Sequence, residues 1–304
     1  MKNKILIVTS SYDRTCDYII NRYRNINFFR LNTDYFSTYK VSYDLSGFKI
    51  TNSLGEEIST TSCKSIYYRK PASENLTGII DSKYHTFSLK ESHSLIDGIV
   101  ESFSGPCLSK PSIMRRADNK ILQIKIAQQV GFLIPKLTIT NNKSEINKLE
   151  KNNTIVKPIS IGSILNNNVK EYVQTNKYNP NINDNGLKYS PAYFQEYIKK
   201  DYEVRATFIS KQDFTVKIIS KNQVDWRKIN NELKYELINI PKDIHKKCLD
   251  FMSQNSIYFG CFDFIVSDGD WYFLEMNANG QWAWLEFEVG CDISKAIVEY
   301  LNHD

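Results

Sequence analysis

The sequence has few of the residues on which histidine- and cysteine-based sites depend. It contains six cysteines, scattered without a C-x-x-C pair, and only four histidines. A zinc site or a disulfide framework is therefore not expected, and the cysteines are predicted to be reduced thiols. The scarcity of histidine also argues against a Ser-His catalytic site and against a metal site built on imidazole.

Long apolar runs are missing as well. The longest, such as residues 5–8, and mostly apolar segments such as residues 261–266, have the length of strands, whereas a membrane-spanning helix needs about 20 residues. The amino-terminal segment lacks the apolar stretch and the small-residue cleavage site of a secretory signal. We therefore expect no membrane anchor and place the protein in the cytoplasm.

The charge of the chain is only weakly unbalanced. The net charge is +5, and the lysines and arginines are dispersed instead of forming a stripe or an arm. No nucleic-acid partner is expected from this distribution, whereas an acidic partner is compatible with it. Simple solubility explains the excess of positive charge equally well.

The chain does contain enough apolar material for two or three lobes, since it has 304 residues and 41% of them are hydrophobic. A β-branched run at 4–9 followed by a helical pattern predicts an α/β unit. Asparagine-rich stretches at 166–168 and 176–185 predict loops. We expect an amino-terminal α/β domain, a central lobe and a carboxy-terminal lobe, at residues 1–110, 111–190 and 191–304 respectively.

A candidate metal site lies near the carboxyl end. Asp263 is on one predicted strand, Glu275 and Asn277 are on the next, and a hairpin turn joins the two. Residues two apart on a strand share a face, so these oxygens can converge on Mg²⁺. A surface hairpin with polar residues is the alternative. The apolar neighbours of both carboxylates favour the metal, because a buried carboxylate needs a compensating cation.

Two further segments carry candidate nucleotide contacts. Lys157 ends an apolar strand and is followed by Gly162 and Ser163, which can offer phosphate-binding groups from a flap, although one glycine is few for such a loop. The apolar strand at 194–198 leads into an exposed connector at 199–201 and can present backbone groups to adenine, Glu203 can accept ribose hydroxyls, and Arg205 can clamp a phosphate or carboxylate. A structural lysine and a solvated charge pair are the alternatives.

The order of these segments resembles the ATP-grasp superfamily. More narrowly, three motifs look like the macrocyclases of microviridin-type peptides and of grasp-with-spasm clusters. They are Tyr67-Tyr-Arg69-Lys-Pro71, Asp225-Trp-Arg227 and Leu274-Glu-Met-Asn-Ala-Asn-Gly-Gln-Trp282. The resemblance implies an α/β ATP-grasp fold with an amino-terminal pre-ATP-grasp domain, a small central α+β lobe, and a carboxy-terminal lobe with a mixed or antiparallel sheet.

The resemblance also implies roles for individual residues. Contacts to ATP are assigned to Lys120, Lys157, Gly162, Ser163, Glu196, Tyr197, Ile198 and Glu203. Arg205 and Arg227 would stabilise the transferred phosphoryl group, and Asp263, Glu275 and Asn277 would hold Mg²⁺. The substrate would be a ribosomal precursor peptide with a leader and an acidic core, contacted by Arg69, Lys70, Trp226 and Trp282. A homodimer is implied as well.

Plainer roles remain open for the peptide-contacting residues. Arg69 and Lys70 can simply form an exposed strand end closed by Pro71, and tryptophans are more often found in a core than in a groove. Two other functions also remain open. They are an amino-acid or glutamate ligase of the same fold, and a module that binds peptide or nucleotide without chemistry.

Overall fold

The computed structural model describes residues 3–149, 153–160, 163–166, 169–181, 185–222, 224, 226 and 231–303, with the backbone alone for 163–166 and 169–172. The described residues form five β-sheets and the helices around them. This is the mixed α/β architecture expected from the sequence. None of the helices within the described ranges is both long and apolar enough to cross a membrane.

The amino-terminal part is built on a parallel sheet of strand order β2-β1-β6-β7. Its strands are β1 (Lys4–Thr9), β2 (Phe28–Asn32), β6 (Cys63–Tyr68) and β7 (Cys107–Leu108). Helices α1 (Arg14–Arg22) and α2 (His85–Ser102) belong to this part, and a small antiparallel sheet is formed by β3 (Lys40–Asp44), β4 (Gly47–Thr51) and β5 (Glu57–Ser59). The α/β unit predicted from the run at 4–9 is present.

The central part has short helices and a small antiparallel sheet. Helices α3 (Pro111–Ala117), α4 (Lys120–Gln129) and α5 (Lys143–Ile146) are accompanied by the strands β8 (Leu137–Thr140), β9 (Thr154–Lys157), β12 (Asn176–Lys177) and β13 (Ala192–Glu196), in the order β12-β9-β13-β8. A separate hairpin consists of β10 (Ser163–Asn166) and β11 (Val169–Tyr172). Asn166 and Asn176, both in stretches that were expected to be loops, therefore lie on strands.

The carboxy-terminal part is dominated by an antiparallel sheet of order β16-β15-β14-β17-β18. Its strands are β14 (Tyr202–Ile209), β15 (Gln212–Ser220), β16 (Leu233–Ile238), β17 (Phe259–Ser267) and β18 (Asp270–Asn277), and its helices are α6 (Lys242–Gln254), α7 (Ala283–Val289) and α8 (Ile293–Asn302). Strand β13 pairs with the small sheet although it lies beyond residue 190. The domain boundaries themselves stay a prediction.

The large sheet separates two apolar cores. Phe262, Phe264 and Phe273 pack with Phe132 and Phe251 on one face, where they join the core of the amino-terminal sheet. On the other face, helix α8 covers the sheet together with Trp282 and Leu285. Burial of such large side chains contributes about 1.5–3 kcal/mol each, so the sheet is a rigid support for the residues at its open end.

Candidate functional site

The register of the large sheet places three charged side chains in one row. Arg205 on β14 is opposite Asp263 on β17, and Asp263 is opposite Glu275 on β18. Residues directly opposite each other on neighbouring strands project from the same face of a sheet. The sequence could predict the pair on the hairpin, and the structure adds Arg205 as the third member of the row.

Arg205 and Asp263 form a buried ion pair. Arg205 Nη1 lies 3.0 Å from Asp263 Oδ1 and 3.1 Å from Oδ2, and the two residues are 5% and 7% exposed. Burial alone lowers the pKa of Arg205, but the Asp263 carboxylate, with Cys261 and Glu275 nearby, raises that pKa overall. The guanidinium therefore stays charged, and it can hold anionic oxygen in a site with little water.

Asn277 completes the oxygen set predicted for a cation. It is opposite Cys261 in the sheet, and its amide Nδ2 donates to Glu275 Oε1 at 3.4 Å, which leaves the amide oxygen available. The register between β17 and β18 shifts after Asp263, and such β-bulges often re-aim side chains beside active sites. Carboxylate and amide oxygens are the ligands that Mg²⁺ prefers.

The donor set fits Mg²⁺ held jointly with phosphates. Among the described residues, no three His, Cys, Asp or Glu side chains cluster closely enough to hold a metal by themselves. The set at this point has two carboxylates and one amide, which is typical of a magnesium site whose remaining ligands are water and nucleotide oxygens. The metal role of these residues stays a prediction.

Helix α4 brings Lys120 to the same point. Asn119 caps the helix by accepting a hydrogen bond from the Leu122 N–H at 3.0 Å. Lys120 Nζ then lies 3.3 Å from Glu275 Oε2 and donates to the Pro158 carbonyl oxygen at 3.4 Å. Its ammonium is thus placed between the large sheet and the segment that follows β9, where a phosphate contact is expected.

The small sheet contributes Lys157 and Tyr193, which are opposite each other on β9 and β13. Lys157 Nζ lies 4.3 Å from the centroid of the Tyr193 ring. Burial raises the pKa of Tyr193, and the negative charge of Glu275 adds to the shift. Tyr193 is thus close enough to β18 for the charge of Glu275 to affect it, and Lys120, which contacts both Glu275 and the Pro158 carbonyl oxygen, links the same two parts of the fold.

The segment after β13 borders a cleft between these two parts. The Tyr197 N–H donates to the Asn153 carbonyl oxygen at 2.8 Å, and Tyr197 and Ile198 line a cavity of about 550 Å³ with Tyr272 of β18. Glu196 Oε2 accepts from the Lys136 N–H at 3.3 Å.

A second cavity, of about 670 Å³, is lined by His245 and Lys295 among others, and by none of the predicted site residues.

Glu203, the predicted ribose contact, is 8% exposed and makes an ion pair with the buried Lys200. It is opposite Ile265, and this pair lies two residues along β14 and β17 from the pair of Arg205 and Asp263. Its carboxylate is thus positioned by a lysine that the sequence analysis did not single out. A ribose hydroxyl would share this carboxylate with Lys200.

Arg69 lies in the interior, which differs from the exposed strand end that its sequence context allows. It is 0% exposed, and its Nε lies 3.1 Å from Asp13 Oδ2. Its Nη2 donates to Gln281 Oε1 at 2.6 Å, and its Nη1 donates to the Gly280 carbonyl oxygen at 3.3 Å. Arg69 therefore joins the amino-terminal domain to the loop that follows β18.

Lys70 has a different environment. Its backbone adopts a φ of 47°, which side-chain-bearing residues rarely adopt, and its side chain is half-buried. Burial lowers the pKa of Lys70 to about 8, and the charge of Arg69 adds to the shift. The charges of Asp13 and Arg205 also act on this amine.

The tryptophans fall into two groups. Trp282 is 0% exposed and its indole Nε1 donates to the Tyr67 hydroxyl at 3.3 Å, so its side chain belongs to the core. Trp226 packs on Trp284 with ring centroids 5.3 Å apart, and Trp284 meets Tyr235 edge-on at 5.1 Å. Of the two tryptophans predicted to bind peptide, only Trp226 is outside the core.

Three predicted site residues have no described side chain. Gly162 and Arg227 lie outside the described residues, and Ser163 is described only by its backbone at the start of β10. Their predicted contacts with phosphate stay predictions.

Sequence reasoning missed Gln123 and Asp118, and it gave Gly280, which belongs to the motif ending at Trp282, no role of its own. The buried Gln123 contacts the backbone of β18, and the pKa of Asp118 is raised by desolvation and by the charge of Glu275. Gly280 lies so close to Cys261 and Arg205 that an added Cβ would meet the Cys261 Sγ at 2.6 Å and Arg205 Nη2 at 2.9 Å. Gln123 could have been found from the sequence, because it is a polar residue on the same helix face as the buried Ile126 and Ala127.

Comparisons with known proteins agree with this geometry. A family model described as the MvdD pre-ATP grasp domain matches residues 4–115. No curated protein matches the sequence.

Solved structures match over almost the whole chain. A RiPP-associated ATP-grasp ligase of Chryseobacterium gregarium, in complex with ADP and a leader and core peptide, is 29% identical, with a TM-score of 0.88 and coverage of 98% of this chain and 96% of that chain. The macrocyclase MdnC of Microcystis aeruginosa, bound with precursor peptide MdnA, is 28% identical, with a TM-score of 0.87 and 99% of each chain covered.

A D-alanine–D-alanine ligase of Bacillus anthracis shares the fold alone, at 15% identity and a TM-score of 0.58, over 99% of this chain and 96% of that chain. The resemblance predicted from the sequence is confirmed: the chain has the ATP-grasp fold with an MvdD-like pre-ATP-grasp domain and is similar to ATP-grasp macrocyclases of ribosomal peptides.

Proposed function

We propose that the protein is an ATP- and Mg²⁺-dependent ligase that cross-links a ribosomal precursor peptide. It would convert Asp or Glu side chains of the peptide to acyl phosphates and join them to Thr or Ser hydroxyls or to Lys amines. The products would be macrocyclic esters or amides. The observation that carries this proposal is the row of Arg205, Asp263 and Glu275 with Lys120 at its end.

The cationic side chains would act on the phosphoryl group. In phosphoryl transfer the protein supplies positioning and charge stabilisation, with little covalent chemistry of its own. Lys120 and Lys157 approach the cleft from two elements and would hold the phosphate oxygens. Arg205 would face the transferred group, and we assign the same task to Arg227.

Asp263, Glu275 and Asn277 would hold Mg²⁺, which when bound neutralises phosphate charge and fixes the orientation of the nucleotide. The segment 196–198 would bind the adenine edge, and Glu203 would accept the ribose hydroxyls. Gly162 and Ser163 are assigned to the flap over the phosphates. Exclusion of water by such a flap matters, because hydrolysis of the acyl phosphate would waste the ATP.

Lys70 and Trp226 are the peptide contacts that the geometry supports best. Lys70 is half-buried near Arg205, so its ammonium can attract an acidic side chain of the peptide core. Trp226 with Trp284 and Tyr235 offers an aromatic surface. Arg69 and Trp282 are buried and would not contact the peptide directly; they would support the loop after β18.

The peptide partner is supported by the two most similar structures described above, whose complexes contain a leader and core peptide in one case and a precursor peptide in the other. We therefore propose that this chain also binds a leader. A homodimer is proposed by the same resemblance. Because ribosomal peptides and MgATP meet in the cytoplasm, we place the reaction there.

The proposal is tested by mass spectrometry of the precursor peptide encoded beside the protein, after incubation with MgATP. The expected product has lost one water for each bond, and one ADP is released per bond. Glu275→Gln, which removes one charge from the metal site, should abolish both changes. Unmodified peptide with continued ADP release would contradict cross-linking. A gain in mass would indicate an amino-acid ligase, and nucleotide binding without ADP release would indicate a non-catalytic module.

A further inference from the structure

Strand β18 lies at an edge of the five-stranded sheet, and on its open side the described residues supply only an isolated bridge between Leu133 and Tyr272. At Met276 the side-chain amide of Gln123 takes the place of a neighbouring strand. Its Oε1 accepts a hydrogen bond from the Met276 N–H at 2.9 Å, and its Nε2 donates to the Met276 carbonyl oxygen at 2.9 Å. One side chain thus satisfies both backbone groups of Met276 on the open edge.

Met276 is the residue between the two candidate metal ligands of β18. Because side chains alternate along a strand, Glu275 and Asn277 share the cleft face, while Met276 is buried on the opposite face at 1% exposure. Holding both backbone groups of Met276 fixes the direction of the chain where each ligand leaves it. The orientation of the two oxygen donors therefore depends on this pairing.

The Gln123 amide is itself held in place. It is 5% exposed, and its Nε2 also donates to the Ala117 carbonyl oxygen at 2.6 Å. Gln123 lies one helical turn after Lys120, so both side chains leave α4 on the same side. Helix α4 therefore contacts β18 twice, through the charge of Glu275 and through the backbone of Met276.

We infer that Gln123 is a positioning residue of the candidate metal site, which sets the direction of Glu275 and Asn277 by pairing with the backbone between them. The inference rests on the proposed function, because the two ligands are part of that proposal. Groups that orient metal ligands typically change metal affinity by about tenfold to a hundredfold. An effect of that size is measurable without following catalysis.

The first test uses Gln123→Met, which keeps the length of the side chain but can neither donate as an amide nor accept strongly. The probe is Mn²⁺, followed by electron paramagnetic resonance in the presence of a non-hydrolysable ATP analogue. We expect the Mn²⁺ dissociation constant to rise by about tenfold or more over wild type. The Mg²⁺ concentration for half-maximal ADP release should rise by a similar factor.

Asn255→Leu is the matched control. Asn255 is another buried amide, 4% exposed, and its Nδ2 donates to the Phe251 carbonyl oxygen at 3.0 Å at the end of α6. Its loss should lower the melting temperature and leave Mn²⁺ binding unchanged. If Gln123→Met binds Mn²⁺ within about twofold of wild type, or if both variants weaken it equally, Gln123 has no positioning role.

A second variant, Gln123→Glu, keeps the shape of the side chain should the methionine variant not fold. Its carboxylate would face the carbonyl oxygens of Ala117 and Met276, whereas the protonated acid can donate to one of them. The charged variant cannot pair with the Met276 carbonyl oxygen as the amide does, so its Mn²⁺ dissociation constant should also rise by about tenfold or more. A dissociation constant equal to that of wild type contradicts the inference. A wild-type protein that binds Mn²⁺ and nucleotide but forms no ADP refutes the proposed function instead.

Discussion

The two walls of the cleft differ in how their charges are held. On the large sheet, Arg205 and Asp263 are almost fully buried and neutralise each other at 3.0 Å. On the small sheet, Lys157 is only partly buried and lies over the ring of Tyr193. We conclude that the large sheet forms its part of the site as it folds, whereas the small sheet contributes groups whose main energetic role is in binding. Substitutions on the large sheet should therefore lower the stability of the fold, whereas substitutions on the small sheet should mainly weaken binding.

Asp263→Asn is expected to have the largest effect. It leaves the Arg205 guanidinium buried without its carboxylate, so the free energy of unfolding should fall by about 3–5 kcal/mol. ADP release should be lost as well, because a proposed metal ligand is removed. Chemical denaturation and an ADP assay measure the two effects.

Asp17→Asn is the control for this variant. Asp17 also pairs with an arginine, Arg30, but its side chain is 45% exposed. Its loss should cost no more than about 1 kcal/mol and leave ADP release intact. Equal destabilisation by the two variants would remove the distinction between a buried and an exposed pair.

Arg69→Gln extends the comparison to the interior of the amino-terminal domain. Burial alone raises the pKa of Asp13, but the Arg69 charge and several hydrogen bonds lower that pKa below 3.8 overall. The pair therefore stabilises the fold above about pH 4, and this stabilisation is lost as the pH falls through the lowered pKa. The variant should be about 3 kcal/mol less stable at neutral pH, with a smaller difference in acid. A difference that is constant from pH 7 to pH 3, by denaturation, would contradict the ion pair.

Lys157→Met tests the opposite wall. Loss of a charged hydrogen bond to phosphate typically weakens binding by about 1.5–3 kcal/mol, so the KM for ATP should rise by about tenfold to a hundredfold. The melting temperature should stay close to that of wild type. Lys188→Met is a suitable control, because Lys188 also lies over a tyrosine ring, that of Tyr189 at 4.8 Å, and neither residue is assigned to the site. A rise in KM for both variants would indicate a general effect of charge.

The smallest effect is expected from chemistry at Lys70. With a pKa of about 8, roughly half of this amine is unprotonated at pH 8, compared with under about one per cent for an ordinary lysine. An amine-acylating reagent should therefore modify Lys70 early at pH 8, as followed by peptide mapping. Bound precursor peptide should slow the modification. Reactivity equal to that of the exposed Lys125 would place Lys70 in ordinary solvent.

The proximity of the three candidate metal ligands could be predicted from the sequence because the signals are local. Asp263, Glu275 and Asn277 lie on two strands joined by a tight turn, and period two brings their side chains to one face. The strand bounds at Lys4–Thr9 and Thr154–Lys157 agree with the structure. Local periodicity was sufficient in these places.

The remaining features depend on contacts between distant segments. Arg69 is buried because Asp13 and Gln281, far away in the sequence, meet its guanidinium. Trp282 belongs to the core because α8 and the amino-terminal sheet enclose it. Strand β16 and helix α7 were not predicted. The residue pattern within one segment cannot predict which distant segment it will contact.

The central claim, activation of a side-chain carboxylate as an acyl phosphate, is tested most directly with ¹⁸O. A precursor peptide labelled with ¹⁸O in its Asp and Glu carboxylates is incubated with the protein and MgATP, and the released phosphate is examined by mass spectrometry. The mechanism predicts one ¹⁸O atom transferred to phosphate for each cross-link formed. Cross-links that form while the phosphate remains unlabelled would contradict it.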